Sequence, residues 1–113
     1  RQMCKETEVA HFLQAAGYRI IPVNPKLEGQ ELLGEHVYAY LKDIPFSFDI
    51  VDVFRRSEFL PDVAYDFLET DAKVFWSQIG LENEEAETIL RQANRQDIVM
   101  NRCTKREYMR LFV

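Results

Sequence analysis

Three short apolar runs are each followed by a helical stretch, and this alternation constrains the chain to a parallel sheet covered by helices. The runs are residues 49–54, 73–78 and 97–100, and the spacing predicts helices over 57–69, 83–93 and 102–111. Parallel strands need long crossover connections, which helices supply. Apolar strands alternating with helices therefore read as βαβ units. The first run is the most distinctive. Ile50-Val51-Asp52-Val53-Phe54 stops abruptly at Arg55 and Arg56, and Ser57 with Glu58 then opens a helix. In open α/β sheets, ligands bind outside the carboxyl ends of the strands. Fixed positive charge there, beside the N–H groups of a helix start, suits a phosphate-bearing ligand. The net charge is -5, so the two arginines are not part of a generally basic surface.

Upstream, Val9, Phe12, Leu13 and Ala16 recur at helical spacing over residues 8–16, and Gly17 ends that helix. Residues 18–23 read as a strand in which Pro22 removes one donor, which places it near an edge or a bulge. Asn24-Pro25 breaks it, and 26–35 read as a loop with Gly29 and Gly34. Residues 37–41 are short and ambiguous between helix and strand. Pro61 is tolerable in a first helical turn. Asn83 caps the next helix, with Glu84, Glu85 and Glu87 at its positive end. The pattern opens with a helix, for Lys5-Glu6-Thr7 leads straight into it. A doubly wound sheet ordinarily opens with a strand and a glycine-rich turn.

A chain of 113 residues is read as one domain spanning 1–113. Its acidic balance argues against nucleic-acid binding, which leaves a basic footprint. No apolar run approaches the roughly 18–20 residues of a membrane span. The first residues lack the apolar stretch of a secretory signal. Cys4 and Cys103, at opposite ends, fit a reduced, cytoplasmic chain. His11 and His36 are isolated, and no Cys/His spacing points to zinc. No P-loop and no Ser-His-Asp or glycine-nucleophile pattern is visible.

Several blocks together resemble a known family. They are the run from Gly17 to Pro25 (GYRIIPVNP), Gly29 to Gly34 (GQELLG), Asp49 to Ser57 (DIVDVFRRS), Lys73 to Gly80 (KVFWSQIG) and Val99 to Lys105 (VMNRCTK). In that order they are similar to the small stand-alone CoA-binding proteins, and so to the CoA-binding domain of the succinyl-CoA synthetase alpha subunit. The match runs over almost the whole chain from Val9 on. The resemblance implies an α/β, Rossmann-like three-layer fold with a five-stranded parallel sheet, here lacking the first strand and its glycine-rich turn. That strand would lie between neighbours built from 19–23 and 50–54. We therefore expect the natural protein to continue upstream of Arg1.

The resemblance also implies a cytoplasmic protein that binds coenzyme A or an acyl-CoA, most of whose relatives have no assigned reaction. It places ligand contacts at Asn24, Pro25 and Lys26, at Val53, Phe54 and Arg55, and at Gln78 and Gly80, with Arg102 at the same sheet edge. Each position has a plainer reading. Arg55 and Arg56 could simply pair with Glu58 or Asp62, a surface contact worth little. We favour a ligand role for Arg55 and solvent for Arg56. Asn24 and Lys26 are ordinary turn residues as readily as ligand groups. Gly80 permits close backbone approach but also serves a simple turn. Asp52 reads as a satisfied structural acid, with orientation of Arg55 or a serine as the alternative. Cys103, near Arg102 and Lys105, reads as a small packed residue rather than a thiol poised for mixed-disulfide chemistry with CoA.

The resulting expectation is a binding protein without chemistry of its own, with no catalytic residue and no metal, and with a homodimer possible. A regulatory or interaction module with a vestigial nucleotide site and an acyl-CoA ligase part or other enzyme are two rivals. A dinucleotide binder is the third. It should carry an acid at the end of the second strand, where this chain has Val23-Asn24-Pro25.

Overall fold

The computed structural model describes residues 5–112. Helix α1 (Glu6–Ala15) sets Glu6 and Glu8 against the positive end of its own dipole and buries Val9. Gly17 follows in the left-handed region at φ 104, which ends the helix. The expected strand over 18–23 does not form. Within it only Val23 makes an isolated parallel bridge, to Tyr38. Two bonds hold that bridge: Asn24 N–H donates to the Tyr38 carbonyl at 2.8 Å, and Tyr38 N–H donates to Pro22 at 3.1 Å. Pro22 has no N–H to extend the ladder.

The expected loop over 26–35 carries structure of its own, a correction to the sequence reading. A 3-10 turn (Pro25–Leu27) is followed by a small antiparallel hairpin, β1 (Glu31–Leu32) and β2 (Glu35–His36). Its two turn residues, Leu33 at φ 57 and Gly34 at φ 76, are both left-handed, as a tight two-residue hairpin loop requires.

From residue 50 onward the βαβ reading holds. Strand β3 (Ile50–Val53) leads through a 3-10 turn (Ser57–Phe59) into α2 (Leu60–Leu68), with Pro61 in its first turn. Then come β4 (Val74–Ser77), α3 (Glu84–Gln92), β5 (Ile98–Val99) and α4 (Thr104–Phe112). Asn83 caps α3, its Oδ1 accepting from Ala86 N–H at 2.9 Å. The strands form one parallel sheet in the order β3-β4-β5, with Val51 beside Phe75 and Asp52 beside Trp76. Among the described residues the parallel sheet has three strands rather than five, and β3 lies at its edge.

Alternation along the strands divides the sheet into two faces. Val51, Val53 and Phe75 point to one face and pack against Leu60, Ala64 and Phe67 of α2 and Ala86 and Leu90 of α3. Phe67 meets Phe75 edge to face, with ring centroids 5.4 Å apart. Asp52 and the residue just beyond β4, Gln78, point to the other face and meet Thr104 of α4. Helix α4 also packs on α1, and Phe12 of α1 and Tyr18 just beyond it both meet Tyr108 edge to face. The result is a three-layer α/β arrangement of Rossmann-like type.

Candidate functional site

The parallel sheet brings three loops together at its carboxyl end, those after β3, β4 and β5. Phe54 and Arg55 follow β3 directly. Arg55 is exposed and its guanidinium lies over the Phe59 ring, 4.6 Å from the centroid. Arg56 shares that ring at 5.6 Å and also reaches Glu58 at 3.8 Å. Among the described residues Arg55 has no carboxylate partner, so its charge is not neutralised by an ion pair. Val53 is buried and supports this loop from below.

The loop after β4 is held from both sides. On one side Ser57 Oγ donates to the Gly80 carbonyl at 3.3 Å and accepts from Glu82 N–H at 3.3 Å, while Asn83 Nδ2 donates to the Ser57 carbonyl at 3.1 Å. On the other side Asn101 Oδ1 accepts from Gly80 N–H at 2.6 Å. Asn101 is left-handed at φ 64, which turns the chain between β5 and α4 back toward this loop. Its neighbour Arg102 is exposed, with its N–H on the Ser77 carbonyl at 3.2 Å and its own carbonyl accepting from the Trp76 indole at 2.7 Å.

Gln78 is 2 % exposed, so its amide faces inward rather than into the loops. It bonds Asp52 and Thr104, and Thr104 Oγ1 donates to Asp52 at 2.9 Å. Asp52 therefore has the satisfied, structural surroundings expected of it, with partners other than Arg55 or a serine. Burial pushes its carboxyl up to about 6, against the opposing effect of these two hydrogen bonds.

The loop with Asn24, Pro25 and Lys26 is exposed and builds its own turn. Asn24 Oδ1 accepts from Lys26 N–H at 2.9 Å, while the Asn24 backbone donates to the Tyr38 carbonyl and accepts from Leu27 N–H. Of the nine positions expected to line a site, the sheet thus gathers Val53, Phe54, Arg55, Gln78, Gly80 and Arg102. The hydrogen bonds of 24–26 do not tie that loop to them.

Sequence reasoning did not single out Ser57, Asn101 or Thr104 as the residues that hold the site together. Asn101 carried a usable signal, since Asn tolerates the left-handed region better than other non-glycine residues. Ser57 and Thr104 carried none beyond helix-start propensity. Cys103 is buried and disulfide-bonded, which corrects the expectation of a reduced thiol there; Cys4 lies outside the described residues. A cleft of about 390 Å³ lies at the opposite end of the sheet, lined from segments 41–48 and 69–71, and touches none of the expected positions. Among the described residues no group of His, Cys, Asp and Glu could hold a metal ion, and no helix is long and apolar enough to cross a membrane.

Known proteins match this arrangement. The chain is 53% identical over 97 residues to the uncharacterized protein YneT of Bacillus subtilis, covering 86% of this chain and 70% of that one. A solved structure from Thermus thermophilus superposes with a TM-score of 0.87 at 36% identity, covering 97% of this chain and 85% of the other. A hypothetical protein from Pyrococcus horikoshii gives a TM-score of 0.86, also at 36% identity, over 94% of this chain and 72% of its own. The model of the CoA binding domain matches residues 6–109, and the chain belongs to that family.

Proposed function

We propose that this chain is a single domain that binds coenzyme A or an acyl-CoA at the carboxyl end of its parallel sheet and performs no chemistry on it alone. One observation carries the reading: the loops after β3, β4 and β5 converge there beside Arg55, an exposed cation without a carboxylate partner among the described residues. An arginine so placed suits a phosphate, which it can meet with two parallel hydrogen bonds. Lys26 and Arg102 add exposed positive charge, and Gly80 allows close backbone approach. The family gives the ligand class, while the acyl group is open. A homodimer is compatible with this reading.

The test is a thermal melt of the protein with and without millimolar CoA, with NAD and ATP as controls. CoA alone should raise the midpoint by about 2–8 °C, and Arg55→Ala should lose most of that shift. Equal shifts from all three nucleotides would overturn the CoA assignment. A second reading, a regulatory module with a vestigial site, draws on a separate observation. Gly80 already spends both its N–H and its carbonyl on Asn101 and Ser57. A cooperative melt that ignores CoA would favour that alternative.

A further inference from the structure

On the polar face of the sheet, Asp52 is a carboxylate with no ion pair among the described residues. Asp52 accepts hydrogen bonds from Gln78 Nε2 and from Thr104 Oγ1. Thr104 N–H in turn donates to Gln78 Oε1 at 3.2 Å, and Gln78 Nε2 reaches Thr104 Oγ1 at 3.1 Å. Three side chains from β3, the end of β4 and the start of α4 thus close into one cluster. Around it the charges are unfavourable. From α1, the like charge of Glu6 acts on Asp52. From α4, the adjacent cation Lys105 is turned to Glu8 of α1 at 2.8 Å. From β4 comes only the neutral amide of Gln78. Among the described residues, no cation forms an ion pair with Asp52.

The cluster lies directly beneath the three loops of the site. Asp52 stands two residues before Phe54, Gln78 two before Gly80, and Thr104 two after Arg102. A phosphate-bearing ligand seated on those loops adds negative charge above an acid that has no ion-pair partner among the described residues.

We propose that Asp52 takes up a proton when an anionic ligand binds at the carboxyl end of the sheet, so that ligand affinity is linked to pH. The inference rests on the CoA reading above and adds its regulation. The proton passes from solvent to one Asp52 oxygen, and the Thr104 hydroxyl rotates from donor to acceptor. The other Asp52 oxygen keeps the Gln78 bond. A neutral Asp52 no longer repels the ligand's phosphates. Because the complex then holds more protons than the free protein, affinity falls as pH rises through the Asp52 titration. Desolvation has already moved that titration up to about 6, within reach of ordinary cellular pH changes. The expected effect is a rise in Kd of about three- to tenfold between about pH 5.5 and about pH 7.5, since one pKa unit corresponds to a factor of ten.

The direct test follows the Asp52 carboxyl carbon by NMR through a pH titration of the whole chain, free and then saturated with CoA. Dephospho-CoA serves as a second probe, because a phosphate monoester titrates near 6 itself. A midpoint raised by about half a unit or more with both ligands supports the proposal. An unchanged midpoint in a sample whose other resonances show saturation overturns it. Resonances that ignore both ligands at millimolar concentration overturn the CoA reading itself, and this inference with it. As a second measurement, calorimetry in buffers of different ionisation enthalpy should show proton uptake with dephospho-CoA that Asp52→Asn abolishes. Equal uptake by both proteins counts against Asp52.

Discussion

The two faces of the sheet are built from the same strands, yet they are held by different forces. Toward α2 and α3, Val51, Val53, Phe75, Leu60, Phe67 and Leu90 form a contiguous apolar cluster. Toward α1 and α4, the corresponding positions are Asp52, Trp76 and Gln78, joined to Thr104 and to the Arg102 carbonyl by hydrogen bonds. The apolar face gains from burial in proportion to area and is indifferent to pH. The polar face gains little net free energy per bond, but it is costly to break halfway. The polar-face bonds tie β3 and β4 to Gln78, to the start of α4 and to the Arg102 carbonyl, so that face helps fix where the loops after β4 and β5 stand, while the apolar face supplies most of the stability.

Substitutions should separate these roles. Phe75→Ala empties the middle of the apolar face and should cost about 3–5 kcal/mol in denaturant unfolding, enough to threaten folding itself. A loss under 1 kcal/mol would mean that the apolar face is not the principal source of stability. Next in size is the pH dependence. The folded pKa of Asp52 lies near 6 against an ordinary value of 3.8, so the native state binds the extra proton. Its contribution is full below the ordinary value and is lost as pH rises through about 6. Stability should therefore fall by about 2 kcal/mol across that window, with the slope removed in Asp52→Asn. Unfolding curves at a series of pH values would read it, and a slope that persists in the variant would assign it elsewhere. Asn83→Ala removes the cap that orders the start of α3 and should cost about 1 kcal/mol by the same assay. Smallest is Lys105→Ala. Its ion pair with Glu8 is open to solvent on the glutamate side, 60% exposed, so the melting midpoint should not move measurably.

How much of this was legible in the sequence differed along the chain. From Ile50 onward the apolar runs and the Asn83 cap located every strand and helix to within a few residues, because local pattern and tertiary packing agree there. Between residues 18 and 36 they do not. A β-rich run such as Arg19-Ile20-Ile21 becomes a strand only when a neighbouring strand pairs with it, and in this structure a single bridge to Tyr38 is what forms. The hairpin at 31–36 was hidden because Leu33 is an unusual residue for a left-handed turn position. Within the site, Arg55 stood out as a charge at the end of an apolar run. The inward turn of Gln78 did not, since a polar residue one step past a strand reads as exposed. Its burial follows from strand parity, which puts it on the face of Asp52, and from the arrival of Thr104 from 26 residues further along.

Trp76 is the single tryptophan of the chain, and its indole N–H is committed to the Arg102 carbonyl in the loop between β5 and α4. Its emission wavelength responds to how much water reaches the indole, which is half-buried beside that loop. The protein therefore carries its own fluorescent gauge of that loop, readable without any label. A shift to the red would signal the loop lifting from the strand, and a shift to the blue its closure over whatever occupies the sheet edge.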